Sequence, residues 1–153
     1  MRKLKIYIDT SVIGGYFDPE FADESKRLFV KFQGRDFELV ISDLTQSELI
    51  RAPQNVKYLI NNLNLQPEIV SISPEVIALA QEYIKENVVG QASLDDCLHI
   101  ALATINRIDV LVSWNFKHIV NLKRIRGYNA INILNGYPTI EIRSPKDIID
   151  YED

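Results

Sequence analysis

Short apolar runs alternate along the chain with segments of helical periodicity. The runs hold β-branched or aromatic residues and have the length of strands. Five of them cover residues 4–8, 37–41, 68–72, 110–113 and 130–134, and residues 139–142 form a weaker sixth candidate. Several of these runs are apolar throughout rather than alternating, which is typical of strands covered on both faces.

Helical segments separate the predicted strands, and most begin at a recognisable capping residue. Residues 23–32 form one helix, and Ser42 or Asp43 caps a second that continues to residue 51. Ser73 precedes a helix over residues 74–86, Ser93 caps the most apolar helix, which runs to about residue 106, and Pro145 starts a last helix through residue 151. This alternation predicts right-handed crossovers and an α/β fold, a three-layer α/β/α sandwich with a mainly parallel central sheet of about five strands. We expect residues 1–153 to form a single domain.

Composition narrows the class of protein without indicating a function. The 153 residues are 46% hydrophobic and 25% charged, as in ordinary globular proteins, and no apolar run approaches the ~18–20 residues of a membrane span. The net charge of −4 argues against a surface that is basic all over, but residues 117–126 carry four fixed positive charges and no acid, a stripe that can contact phosphates. The single cysteine, Cys97, cannot form an intramolecular disulfide, so we expect a cytoplasmic protein.

Four oxygen-bearing residues stand at or near the ends of the apolar runs. Asp9 ends the first run, Glu48 follows the second by two helical turns, Asp96 opens the most apolar helix and Asn115 comes just after the fourth run. Ligands of open α/β sheets bind outside the carboxyl ends of the strands, where these residues can meet. Hard oxygen ligands favour a divalent cation such as Mg²⁺ or Mn²⁺. The pattern therefore predicts a metal-dependent enzyme.

Two of the four residues also have a purely structural interpretation within their own segment. Asp9 can cap a helix beginning near Ser11. Glu48 lies three residues before Arg51 and can form a surface ion pair worth a few tenths of a kcal/mol. These alternatives remain open at the level of single residues.

The other two residues have local alternatives as well. Asp96 with Ser93 resembles a capping box, Asp95 serves the helix dipole equally well, and Asn115 can cap the turn that follows it. The joint position of all four favours a shared site. Two carboxylates ~5 Å apart at an effective dielectric of about 20 repel by ~3 kcal/mol, a conflict that a bound cation removes.

Two other enzyme or binding classes fit the sequence poorly. A phosphatase with an aspartyl nucleophile at Asp9 needs a second acid two residues on, where this chain has Ser11. A dinucleotide site built on Gly14 and Gly15 lacks the spacing of the G-x-G-x-x-G fingerprint. Neither class explains all four residues.

The four residues lie in four segments whose order and spacing resemble the PIN-domain ribonucleases, in particular the VapC-like toxins of type II toxin–antitoxin modules. The segments are residues 6–13 (IYIDTSVI), 42–49 (SDLTQSEL), 96–103 (DCLHIALA) and 111–118 (LVSWNFKH). The resemblance covers nearly the whole chain. It implies an endoribonuclease that hydrolyses RNA phosphodiester bonds with Mg²⁺ or Mn²⁺, acts as a homodimer and is bound by a small antitoxin protein.

The resemblance also assigns roles to individual residues. It makes Asp9, Glu48 and Asp96 metal ligands, with Asp96 or Asp9 orienting the attacking water. Thr10 and Ser113 match hydroxyl positions that support the site or a phosphate. Each of these assignments is an expectation carried by the matching motif.

The chain departs from the resemblance at its fourth motif, where many members carry aspartate and this sequence has Asn115. The amide oxygen can ligate a metal or bind a water, but it contributes no charge, which favours a single metal. It also keeps open an alternative function, a catalytically weak or inactive PIN-like scaffold that binds RNA or a protein partner. Nearby, His118 is the better candidate for touching RNA, whereas His99 is expected to pack as a hydrogen-bonded histidine, and Trp114 to stack on a base or lie in the core.

Overall fold

The computed structural model describes residues 2–86 and 94–151, and within these ranges it has five strands and nine helices. The strands are β1 (Leu4–Ile8), β2 (Phe37–Ser42), β3 (Glu68–Val70), β4 (Val110–Val112) and β5 (Glu141–Arg143). The helices are α1 (Thr10–Gly15), α2 (Ala22–Gln33), α3 (Asp43–Leu49), α4 (Gln54–Lys57), α5 (Leu59–Asn62), α6 (Pro74–Lys85), α7 (Leu94–Ile105), α8 (Leu122–Leu134) and α9 (Pro145–Ile148). None of the described helices is long and apolar enough to cross a membrane.

The strands form one sheet in the order β3-β2-β1-β4-β5, and every pairing is parallel. Strand β1 is central, and its Tyr7 pairs with Val40 of β2 on one side and Leu111 of β4 on the other. The strand order therefore reverses direction between β1 and β4. In open α/β sheets such a switch point opens a crevice at the carboxyl ends of the two strands, which here are followed by Asp9 and Ser113.

Helices cover both faces of the sheet, which confirms the three-layer α/β prediction. Along β1, Ile6 and Ile8 belong to the apolar core that contains residues of α1 and α2, whereas Tyr7 belongs to the core that contains residues of α6 and α7. All three side chains are completely buried. The continuous apolar run of this strand thus reflects its burial on both sides.

The predicted strand at residues 130–134 is wrong, because this segment forms the end of α8. Tyr128, Ile131 and Asn132 are buried at the i, i+3, i+4 spacing of a helix, and Asn121 caps the first turn by accepting the backbone N–H of Arg124. The fifth strand is β5 instead, which overlaps the weaker candidate at residues 139–142. The number of strands was predicted correctly and one position was not.

Two predicted helix starts are confirmed by hydrogen bonds. Ser42 rather than Asp43 is the cap of α3, since its hydroxyl accepts the N–H of Thr45, and this helix ends at Leu49, before the predicted end at residue 51. Ser73 caps α6 in the same way, with Pro74 in its first turn. The predicted cap at Ser93 lies outside the described residues.

Candidate active site

Asp9 lies at the carboxyl end of β1 and is held by two hydroxyl groups. Its Oδ1 accepts a hydrogen bond of 2.5 Å from Ser11 Oγ, and its Oδ2 accepts one of 2.6 Å from Ser113 Oγ, which follows β4. Asp9 occupies the N-cap position of α1, but its side chain makes no capping bond and instead accepts the bonds from Ser11 and Ser113. The two strands at the switch point are therefore joined through this carboxylate.

The environment of Asp9 disfavours its charge. The residue is only 5% exposed, and burial raises the pKa of its carboxyl above the ordinary value; the positive charge that His99 carries when protonated and the hydrogen bonds from Ser11 and Ser113 offset this only in part. The negative charge of Glu48 raises the pKa further. A buried carboxylate in such surroundings is stabilised in its charged form by a cation, so its position fits a metal ligand.

Glu48 lies near the end of α3 and turns toward Asp9 rather than toward Arg51. Its Oε1 accepts hydrogen bonds from Thr10 Oγ1 at 2.9 Å and from His99 Nε2 at 2.7 Å. Desolvation raises the pKa of Glu48, but the hydrogen bond from His99, the positive charge that His99 carries when protonated and the hydrogen bond from Thr10 together outweigh it and hold the pKa below the ordinary value. Glu48 is thus an ionised, oriented carboxylate at the edge of the crevice.

Asp96 and Asn115 form the other side of the site. The amide Nδ2 of Asn115 donates to Asp96 Oδ1 at 3.3 Å, and the backbone N–H of Asn115 donates to Ser113 Oγ at 2.9 Å. Asn115 Oδ1 accepts the backbone N–H of His118 at 3.0 Å. The amide therefore orients Asp96 through a donor that an aspartate lacks, while its oxygen caps the following turn.

Two ring side chains near the site differ in burial: Trp114 is buried and His118 is half-buried. Trp114 is 8% exposed, stacks on Phe21 with ring centroids 4.3 Å apart, and donates from Nε1 to Ser25 Oγ. Of its two interpretations, the structure thus shows core packing. Among the described residues, Nδ1 of His118 has no hydrogen-bond partner, and the RNA contact expected of this residue stays a prediction.

Three contributors to the site were given no catalytic or binding role from the sequence, although His99 is the packed, hydrogen-bonded histidine that was expected. Ser11 contacts Asp9 and also accepts the backbone N–H of Trp114 at 2.9 Å, which ties α1 to the end of β4. His99 orients Glu48, and Phe116 presents a ring that is 49% exposed directly after Asn115. Ser11 could have been identified from the sequence, because its hydroxyl lies two residues after Asp9. The contact of His99 with Glu48 depends on the fold and has no local signal.

A metal ion at this site needs oxygen donors beyond the protein. In the part of the chain that the structure describes, no three His, Cys, Asp or Glu side chains converge closely enough to hold a metal ion between them. Mg²⁺ commonly retains several waters and is bound by one or two carboxylates together with phosphate oxygens of a substrate. The carboxylates of Asp9, Glu48 and Asp96 fit that mode of binding.

Comparison with known proteins identifies the fold. The family model described as PIN domain matches residues 6–116, a range that contains all four predicted site residues. No curated relative matches the chain. The structure is similar to VapBC2 from Rickettsia felis, solved bound to a DNA fragment from their promoter, with a TM-score of 0.60 and 13% identity over 92% of this chain and 98% of that chain.

Two further solved structures have the same architecture. FitAcB from Neisseria gonorrhoeae gives a TM-score of 0.58 at 11% identity, covering 94% of this chain and 99% of that chain. VapC20 from Mycobacterium tuberculosis, described as a sarcin-ricin loop cleaving toxin, gives 0.57 at 13% identity, covering 72% of this chain and 90% of that chain. At these identities the similarity establishes the fold.

Proposed function

Because this chain belongs to the PIN domain family, we propose that it is an endoribonuclease of the VapC toxin class that hydrolyses RNA phosphodiester bonds with Mg²⁺ or Mn²⁺. The observation that carries the proposal is the buried carboxylate of Asp9 at the switch point of the sheet, with Glu48 close enough to raise its pKa and Asp96 linked to it through Asn115 and Ser113. Burying a carboxylate there costs free energy of folding unless a partner compensates its charge. Its pKa is raised, and a divalent cation relieves that cost.

The side chains of the candidate site have three different roles in the proposed reaction. Asp9, Glu48 and Asp96 would supply the protein ligands of the cation, together with waters and phosphate oxygens of the substrate, and the cation would lower the pKa of a water and polarise a phosphoryl oxygen. Ser113 and Thr10 act as supporting hydroxyls, the first on Asp9 and the second on Glu48. We assign the orientation of the attacking water to Asp96, since it is partly exposed whereas Asp9 is buried.

Binding of RNA is assigned to the segment that follows Asn115. Phe116, Lys117, Lys123 and Arg126 are all exposed there. Cationic side chains contact phosphates irrespective of sequence, and an exposed ring can stack on a base. This local surface supports RNA binding by a chain whose net charge is −4. We extend the proposal to a homodimer and a small antitoxin partner because the similar folds include VapC proteins.

The proposal is tested by RNA cleavage with the full chain and Mn²⁺ or Mg²⁺, with and without a chelator. Asp96→Asn is the test variant, and Asp95→Asn is its matched control, because both residues lie in the first turn of α7 and Asp95 is exposed. We expect metal-dependent cleavage that Asp96→Asn abolishes and Asp95→Asn leaves unchanged. Cleavage that persists with chelator, or that both variants reduce equally, contradicts the proposal.

A second candidate function is an inactive scaffold that binds RNA or a protein partner. The neutral amide of Asn115 at the fourth motif position favours it, because this residue brings no charge to the site. The same assay separates the two functions. Binding of RNA without cleavage at any metal concentration supports the scaffold.

A further inference from the structure

A buried line of hydrogen bonds connects the three elements that carry the candidate carboxylates. Ser42 Oγ accepts the backbone N–H of Thr45 at the start of α3 and lies 2.7 Å from the hydroxyl of Tyr7 in β1. The Tyr7 hydroxyl lies 2.6 Å from His99 Nδ1 in α7, and His99 Nε2 lies 2.7 Å from Glu48 Oε1, back in α3. We call these contacts the Tyr7–His99 line.

The members of this line are enclosed by protein. Tyr7 and Ser42 are completely buried, and His99 is only 2% exposed. Hydrogen bonds in such surroundings are stronger than in water and impose a definite geometry on their members. The line therefore orients its terminal carboxylate, Glu48, from inside the core.

The chemistry of the end group sets the direction of the hydrogen bonds. An ionised carboxylate only accepts hydrogen bonds, so the hydrogen of a neutral imidazole lies on Nε2 of His99 and is donated to Glu48. Nδ1 of His99 is then an acceptor, and the Tyr7 hydroxyl donates to it. The Tyr7 oxygen in turn accepts from Ser42. The acceptor role of Glu48 thus determines which group donates in each of the other hydrogen bonds.

Members of this line also lie only two or three residues from candidate site residues in the sequence. Tyr7 lies on β1 two residues before Asp9, which directly follows the strand, and His99 follows Asp96 by three residues on α7, which is close to one helical turn. Glu48 is itself the end of the line. Fixing these contacts thus fixes the relative positions of the three elements that carry Asp9, Glu48 and Asp96.

From this geometry, and resting on the proposed function, we propose that His99 is a positioning residue for the cleavage reaction. It holds Glu48 through Nε2, and Tyr7 fixes the tautomer that makes this possible. Ligand-supporting hydrogen bonds of this kind are worth roughly 10–100-fold in metal affinity or activity. A buried histidine that served packing alone would contribute to stability and leave metal affinity unchanged.

Two pairs of variants separate positioning from packing. His99→Gln retains a side-chain N–H for Glu48, whereas His99→Leu removes it. Tyr7→Phe removes the hydroxyl from the line, and Tyr83→Phe is the matched control, because Tyr83 is also completely buried and its hydroxyl donates to Asn132 away from the line. Thermal unfolding of each variant reports the loss of stability separately.

The readouts are Mn²⁺ affinity by titration calorimetry without RNA, kcat and KM for RNA cleavage, and the tautomer of His99 by long-range ¹H–¹⁵N NMR. The spectrum is simple because the chain has two histidines, and His99→Gln identifies the signal. We expect the wild-type Nε2–H tautomer, an approximately tenfold or greater loss of Mn²⁺ affinity and kcat in His99→Leu, and a substantial recovery in His99→Gln. Tyr7→Phe should weaken Mn²⁺ binding, and Tyr83→Phe should leave it unchanged.

The outcomes distinguish this inference from the proposed function. Wild-type protein that binds Mn²⁺ and cleaves RNA, together with a His99→Leu variant that matches it in both, overturns the inference alone. Equal effects of Tyr7→Phe and Tyr83→Phe on Mn²⁺ affinity, or an Nδ1–H tautomer, also overturn it. Wild-type protein that neither binds Mn²⁺ nor cleaves RNA overturns the proposed function and the role of His99 with it.

Discussion

Replacing Asn115 with aspartate tests how strongly negative charges repel one another in the candidate site. The substitution keeps the oxygen that accepts the N–H of His118, but it replaces the amide N–H₂ that faces Asp96 Oδ1 at 3.3 Å with a second carboxylate oxygen. Two unit charges ~4 Å apart repel by ~4 kcal/mol at an effective dielectric of about 20. Asp96 is partly exposed, so screening by solvent reduces this figure, and we expect a loss of ~1–2 kcal/mol in the free energy of unfolding without metal.

The assay is thermal unfolding of wild-type and Asn115→Asp protein at pH 7, with and without Mn²⁺. A loss of ~1–2 kcal/mol corresponds to a decrease in Tm of about 3–6 °C for a chain of this size. Bound Mn²⁺ neutralises the repulsion, so the variant should bind the ion roughly 5–30-fold more tightly and show the larger Mn²⁺-induced increase in Tm. Asn121→Asp is the control, because Asn121 caps α8 and aspartate caps equally well. An Asn115→Asp protein that is as stable as wild type and gains no more from Mn²⁺ refutes this reasoning.

Three further predictions follow from other contacts. Because burial raises the pKa of Asp9, its ionisation costs stability as pH rises through that raised pKa. Metal-free Asp9→Asn should therefore have a higher Tm than wild type at pH 7, and this difference in Tm should close as pH falls below the ordinary aspartate pKa of about 3.9. A variant with a lower Tm than wild type at every pH would contradict this. A Cβ at Gly15 would lie 2.7 Å from Trp114 Nε1, whereas one at Gly14 would meet no atom within 4 Å. Gly15→Ala should therefore reduce the free energy of unfolding by ~1–3 kcal/mol, and Gly14→Ala should raise it slightly. Equal denaturation midpoints of the two variants would show that the packing of Trp114 does not need Gly15. Phe116→Ala should weaken RNA binding by ~1–3 kcal/mol in a fluorescence anisotropy titration without lowering Tm, and unchanged affinity would remove this ring from the RNA surface.

The fold could be predicted largely from local patterns. The buried strands and the caps at Ser42 and Ser73 have signals within a few residues of themselves, and the structure confirms them. The segment at residues 130–134 failed because a short apolar run rich in isoleucine has the same composition in a buried helix and in a strand. Its helical spacing becomes visible only when Tyr128 is included.

The candidate site could be predicted as a set of residues but not as a network. Asp9 and Ser113 are 104 positions apart in the chain, and Tyr7 and His99 are 92 apart, so their hydrogen bonds depend on the strand order and helix placement. The sequence likewise shows an amide at Asn115 without showing that its N–H₂ points at Asp96. Those orientations are set by tertiary packing.

The most direct test of the metal centre is a crystal structure of the full chain with Mn²⁺, using anomalous scattering to locate the ion. We predict an anomalous peak in the crevice between β1 and β4, with carboxylate oxygens of Asp9 and Asp96 among its ligands, and the loss of that peak in Asp9→Asn. A peak elsewhere, or one that persists unchanged in Asp9→Asn, would contradict the assignment of this site as the metal centre.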